Sequence, residues 1–231
     1  MVNAVSPATG DARRVSGNAA TDGKAADLDA YLQAVRACRI CRDAPTAGGQ
    51  LPHEPRPVVR AAATARILIC GQAPGTRVHA SGKPFTDPSG DRLRDWLGID
   101  EATFYDTTRI AIVPMGFCFP GQNGRGADLP PRRECAPTWQ DGVVDRLPNL
   151  ELMLLVGAHA QRWHLGARAC RSLSETVAAW REITAAGERP VRFPLPHPSW
   201  RNSGWLKRNT WFAEDLLPVL RARVRAIVEA R

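Results

Sequence analysis

The sequence predicts an α/β domain of three layers, with helices on both faces of a central, mostly parallel sheet of four strands. Three observations carry this expectation. Four short apolar runs, at 66–70, 110–113, 150–156 and 191–195, are near-continuous rather than alternating, as in strands buried on both faces. Segments with apolar residues at helical spacing separate them, the order expected of a parallel sheet with crossover helices. The chain has 231 residues, 44% of them hydrophobic, which is enough for one substantial core.

Taken in order, Met1 to Lys24 is rich in Ala, Gly, Ser, Asn and Asp without apolar periodicity, so residues 1–26 are expected to form a disordered tail and 27–231 the domain. A helix is expected from about Asp27, with Leu28, Tyr31, Leu32 and Val35 on one face, leading into Cys38-Arg-Ile-Cys41. Four prolines and the adjacent Gly48 and Gly49 mark Pro45 to Pro57 as a loop. The strand Arg66-Ile-Leu-Ile-Cys70 ends in a tight turn, Gly71-Gln-Ala-Pro-Gly75, and a helix follows at about Asp87 to Leu97. Ile110-Ala-Ile-Val113 forms the second strand and Leu150 to Val156 the third, after which Gly157 opens a helical pattern over His159 to Leu165. Val191-Arg-Phe-Pro-Leu195 runs straight into His197-Pro-Ser-Trp200, and the last helix begins near Thr210.

Lys and Arg number 31 against 23 Asp and Glu, a formal net charge of +8 that favours a polyanionic partner such as nucleic acid. From His197 to Arg231 there are seven basic residues and three acidic ones, so the excess leans toward this end. No apolar run approaches the roughly 18 residues of a spanning helix, and no hydrophobic stretch follows a basic start, so a cytoplasmic protein without a membrane partner is expected. In that compartment the six cysteines read as metal ligands, redox thiols or buried hydrophobes rather than a disulfide framework. No surplus amphipathic helix asks for a partner, and a monomer is expected.

In parallel sheets ligands sit outside the carboxyl ends of the strands, where the two most polar turns, Gly71 to Gly75 and His197 to Trp200, are placed. These turns resemble motifs A and B of the uracil-DNA glycosylase superfamily. Between them, Gly82-Lys-Pro-Phe85 is similar to the segment that carries a base-stacking Phe, and Leu155-Val-Gly157-Ala to the third strand and its turn. Cys38, Cys41, Cys118 and Cys135, the last two separated by sixteen residues, resemble the ligand order of the superfamily's iron-sulphur branch, families four and five. That resemblance implies a [4Fe-4S] cluster. By chemistry alone four thiolates also suit a tetrahedral zinc, and a redox CxxC with two incidental thiols is the plainer alternative. Cys70, in the first strand, and Cys170, expected in a helix, read as packed hydrophobes.

The resemblance implies hydrolysis of the N-glycosidic bond of uracil or a related deaminated base in DNA, which leaves an abasic site and frees the base. The base must be flipped into a pocket, where Gly71, Gln72, Ala73 and Gly75 line the wall and Phe85 stacks. His197 would donate to the departing base and backbone amides near Gln72 and Phe85 would complete the clasp. The third residue of motif A is an Asp in family one; here, as in family five, it is Ala73, which cannot act as a base. Asp87 is the nearest carboxylate for the attacking water, and it also reads as the N-cap of the helix beginning at Pro88. Families four and five usually place a uracil-reading Asn where this chain has Pro114, which implies either tolerance of other deaminated bases or reading of the leaving group by backbone groups alone. After motif B, Trp205-Leu206 between Arg201 and Lys207-Arg208 fits the apolar, basic-flanked loop that enters the minor groove, and one of the two Trp in this segment can instead pack on the final helix. Ala73 and Pro114 also motivate the rival reading, a catalytically weak or inactive iron-sulphur protein of the same fold that binds nucleic acid.

Overall fold

The computed structural model describes residues 16–230. Helix α1 (Ser16–Arg36) starts well before the expected position near Asp27, which corrects the described part of the tail; the remainder of the expected tail, residues 1–15, lies outside the described residues. Leu28, Leu32 and Val35, spaced by four and three, are all buried and form the seam by which α1 meets the core. The one-turn helix α2 (Ile40–Asp43) leads to an irregular stretch that reaches strand β1 (Ile67–Cys70). Helices α3 (Thr76–Ser81), α4 (Pro88–Leu97) and α5 (Glu101–Tyr105) precede β2 (Ile110–Ile112). A long connection then enters α6 (Cys135–Val144), β3 (Leu152–Val156) and α7 (Ala158–Leu165). The chain finishes through α8 (Leu173–Ala178), α9 (Trp180–Ala185), β4 (Val191–Leu195), α10 (Ser203–Arg208) and α11 (Leu217–Glu229).

The sheet has the order β2-β1-β3-β4 and every pairing is parallel, with Ile67 opposite both Ile110 and Leu152, and Leu152 opposite Val191. Alternation along the strands supplies two cores. Leu68, Cys70, Ala111, Met153 and Leu155 pack with α1 and α6, whereas Ile67, Ile69, Ile110, Leu152 and Leu154 pack with Leu93 and Leu97 of α4 and Leu217, Leu220 and Val224 of α11. Both faces are therefore covered, and the absence of polar alternation in the strands follows. Each fully buried Leu or Ile contributes roughly 1.5–3 kcal/mol of transfer free energy to this three-layer arrangement.

Helix α1 approaches α6 so closely that a Cβ on Gly142 would stand 2.1 Å from the Tyr31 hydroxyl, and the Tyr31 and Trp139 rings meet edge-on at 5.5 Å. At the opposite end of the chain, Arg66, just before β1, donates from Nη1 to the carbonyls of Ile227 and Ala230 at 2.7 and 2.8 Å. Arg109, just before β2, donates to Val228 O at 2.9 Å. These two guanidiniums satisfy carbonyls at the C-terminus of α11 that the helix itself leaves unpaired. Among the described residues no helix is long and apolar enough to cross a membrane.

Candidate active site

Strands β1, β2 and β4 deliver three turns to one end of the sheet. Gly71 to Gly75 leaves β1 and is fixed by the chain leaving β2, because Met115 N donates to Gly71 O and Gly116 N to Gln72 O, each at 2.9 Å. The segment beginning at Pro196 leaves β4. Gly157, with φ of +89°, turns the chain from β3 into α7 and donates to Leu195 O at 2.9 Å, so the β4 exit is held against its neighbour. The buried Gln161 amide tightens the same junction by donating to Leu195 O at 2.9 Å.

These turns line one open cleft that also takes in Phe85, Asp87, Pro114, Gln122, Asp128 and Trp200. The expected residues Gly71, Gln72, Ala73, Gly75, Phe85, Asp87, His197 and Arg201 are thus brought together. Among the described residues the backbone N–H groups of Gln72 and Phe85 have no acceptor within the protein.

Phe85 occupies the left-handed region at φ +55°, rare for a residue with a side chain and costing on the order of 1–3 kcal/mol. Two contacts hold it there. Tyr105 Oη donates to Pro84 O at 2.6 Å and Phe85 O at 3.1 Å, and α4 comes so near that a Cβ on Gly90 would stand 1.9 Å from Phe85 O. The ring is half-buried, edge-on to Phe104 at 5.8 Å, and a Cβ on Gly71 would lie 3.4 Å from its Cζ, so the bare backbone of Gly71 lets the ring lie close to the motif turn.

His197 receives a hydrogen bond at Nδ1 from Ser199 N at 3.2 Å, and its carbonyl accepts from Asn202 Nδ2 at 2.7 Å. Burial pushes its pKa below the ordinary histidine value, while the Asp87 and Asp128 carboxylates pull the other way. Asp87 stands at the N-cap position of α4, yet its side chain makes no cap hydrogen bond; instead Ser89 Oγ donates to Asp87 Oδ1 at 2.5 Å. The carboxylate keeps the position of a cap without the bond that defines one. Gln122 and Asp128, which the sequence reading did not single out, lie in a stretch with Gly121, Gly124 and Gly126 that carries only the signal of a turn.

The segment after motif B departs from the expected loop. Trp200–Asn202 is a 3-10 turn and Ser203–Arg208 is helix α10. Trp205 and Leu206 are not an exposed apolar tip, because both pack against the core on the α4 and α11 side. The Trp205 indole N–H donates to Ser174 Oγ at 2.7 Å, and its ring meets Trp211 and Phe212 edge-on at 5.8 Å. The exposed aromatic is Trp200, 74% accessible, with Arg201 beside its ring. Arg201, Lys207 and Arg208 are all exposed, and Arg92 of α4 steadies the turn by donating to Ser199 O at 3.1 Å.

Cys38, Cys41, Cys118 and Cys135 line a second, smaller cavity together with Val35, Leu51, Pro55, Pro57 and Trp139. Trp139 Nε1 donates to Cys38 Sγ at 3.3 Å and Phe117 N to Cys135 Sγ at 3.2 Å. Burial pushes the Cys118 and Cys135 thiols up to about 12 and raises Cys41, with the Glu134 carboxylate adding to the latter effect. Among the described residues no three His, Cys, Asp or Glu side chains form a group that could hold a metal ion. Cys70 is fully buried in β1, as expected. Cys170 is a correction: it is exposed and lies between helices, because the chain leaves its short 3-10 turn at Ala169.

Residues 59–221 match the family model of the Uracil DNA glycosylase superfamily. The matched stretch begins ahead of β1 and ends within α11, so it spans the whole sheet and both motif turns, whereas Cys38 and Cys41 precede it.

Proposed function

The chain belongs to the Uracil DNA glycosylase superfamily, and from that premise we propose that it is a base-excision glycosylase that hydrolyses the N-glycosidic bond of uracil or a related deaminated base in DNA. The observation that carries the reading is the convergence of the Phe85 ring, the His197 imidazole and the Asp87 carboxylate on one cleft at the carboxyl ends of the strands. As the bond between base and sugar C1′ breaks, the sugar becomes cationic and the base anionic. Nε2–H of His197 donates to the base oxygen, Phe85 supports the base by its face, and Asp87 orients a water whose oxygen bonds to C1′ and whose proton passes to the carboxylate. Pro114 offers no amide to read a uracil edge, so the reading includes hypoxanthine and xanthine as substrates.

The wedge role passes to Trp200, whose exposed indole flanked by Arg201 suits insertion beside a flipped nucleotide, with Lys207 and Arg208 contacting phosphates. The four thiols share the second cavity and two of them receive N–H donors, which supports the reading that Cys38, Cys41, Cys118 and Cys135 would hold an iron-sulphur cluster. Held there, it would tie the end of α1 to the segment between β2 and α6 and supply a structural link.

The test is incubation with single-stranded and duplex oligonucleotides carrying uracil, hypoxanthine or xanthine, followed by alkaline cleavage. Alkali-labile breaks at the modified position are expected. A protein that binds these oligonucleotides but produces no breaks is instead the inactive binding protein that Ala73 and Pro114 would fit. Brown protein that bleaches on replacing any of the four cysteines, but not Cys70 or Cys170, is the expected cofactor result; colourless protein containing zinc overturns the cluster assignment.

A further inference from the structure

The cleft holds a second carboxylate that the reading above does not use. Asp128 lies in the segment between Cys118 and Cys135, and its position is built rather than incidental. Gln122 Nε2 donates to Asp128 Oδ1 at 3.1 Å, and the backbones of Gln122 and Asp128 pair as an isolated antiparallel bridge. The tip between them is closed by Asn123, whose N donates to Ala127 O at 2.9 Å and whose Oδ1 accepts from Arg125 N and Ala127 N at 2.9 and 3.0 Å. The other oxygen reaches the motif turn itself: a Cβ on Gly75 would stand 3.0 Å from Asp128 Oδ2, so the carboxylate occupies space that the glycine leaves open.

Charge makes the placement informative. Among the described residues neither Asp87 nor Asp128 forms an ion pair, although the chain carries a net charge of +8 and Arg77 and Arg201 line the same cleft. Two unpaired carboxylates facing a polyanion oppose its binding. What they favour is a positive charge formed inside the cleft, and the sugar acquires one during the reaction.

We infer that Asp128 is a second catalytic carboxylate, facing the sugar of the flipped nucleotide together with Asp87. This rests on the glycosylase reading. The water oxygen bonds to C1′ as the glycosidic bond breaks; the water proton goes to one carboxylate, the other stays ionised against the cationic sugar, and the base leaves as an anion held by His197. Ala73, where family one has its motif A carboxylate, is thereby compensated from another loop.

The experiment compares wild type, Asp128→Asn, Asp87→Asn and the double variant in single-turnover excision, alongside binding to an abasic duplex and thermal melting. Wild-type excision is measured first; its absence overturns the glycosylase reading and this assignment with it. Given that activity, Asp128→Asn is expected to excise at least tenfold more slowly while binding DNA as tightly as wild type or more tightly, with an unchanged melting temperature. The double variant is expected to be slower than either single one. An unchanged rate for Asp128→Asn overturns the assignment alone. A slower rate accompanied by weaker DNA binding or a lower melting temperature also overturns it, because Asp128 then serves only to hold its loop.

Discussion

The Ser199 backbone amide donates to Nδ1 of His197 at 3.2 Å, so the neutral imidazole carries its proton on Nε2. Burial lowers the pKa of this ring, and the neutral donor persists below the ordinary histidine value of about 6.5. Single-turnover excision should therefore hold steady from about pH 6.5 to about pH 8; a tenfold loss per unit across that window would mean that the imidazolium is the donor. His197→Ala should cost about 2.7 to 4 kcal/mol of transition-state stabilisation, a hundredfold or more in rate, with abasic-DNA binding retained.

Gly90→Ala should act on Phe85 from a neighbouring helix. The added methyl would fall on the Phe85 carbonyl, which must move and carry the ring with it. A stability loss of about 1–3 kcal/mol in urea melts is expected, with excision reduced more than tenfold. Wild-type rates in this variant would show that the backbone position of Phe85 is immaterial to the reaction.

The two tryptophans after motif B should separate cleanly. Trp200→Ala, at an exposed position, should leave the melting temperature within the range of an ordinary surface change, about 0.5 kcal/mol, and weaken duplex binding. Trp205→Ala should lose about 2 kcal/mol of stability, below the roughly 3–5 of a fully buried Trp, because only part of its ring is covered. Reversal of the two phenotypes in melting and gel-shift measurements would restore Trp205 as the wedge.

His164 makes stability depend on pH. Burial pushes its pKa down to about 4, and Gln140 Nε2 lies 3.3 Å from its Nε2. The unfolded chain takes up the proton near pH 6.5 and the folded chain does not, so stability falls as pH drops from about 6.5 toward about 4, by up to about 3 kcal/mol. Urea midpoints at both ends of that window should shift less for His164→Gln than for wild type. Equal shifts would place the acid sensitivity elsewhere.

The sheet and both motif turns were legible in the sequence because burial on two faces writes itself as unbroken apolar runs ended by Gly and Pro. The start of α1 was not, since Gly17 and Gly23 mask the helix-forming value of the alanines between and after them. That one of these two tryptophans packs inward was open in the sequence, but which one was not, since the choice depends on a bond to Ser174, 31 residues away, as well as on contacts with Trp211 and Phe212. Asp128 was hidden for a related reason: its meaning lies in the space above Gly75, and no spacing rule links residues so far apart in sequence.

The grip of Arg66 and Arg109 on the last turn of α11 has a consequence for how the protein is made. The strands that carry the first motif turn and its support emerge from the ribosome early, yet their entry points are tied to carbonyls at 227, 228 and 230. Those ties cannot form until synthesis has passed Ala230 and α11 is free of the exit tunnel. Between the emergence of β1 and β2 and the folding of the last turn of α11, the entry ends of these two strands therefore stay untied, and that turn is the event that latches them.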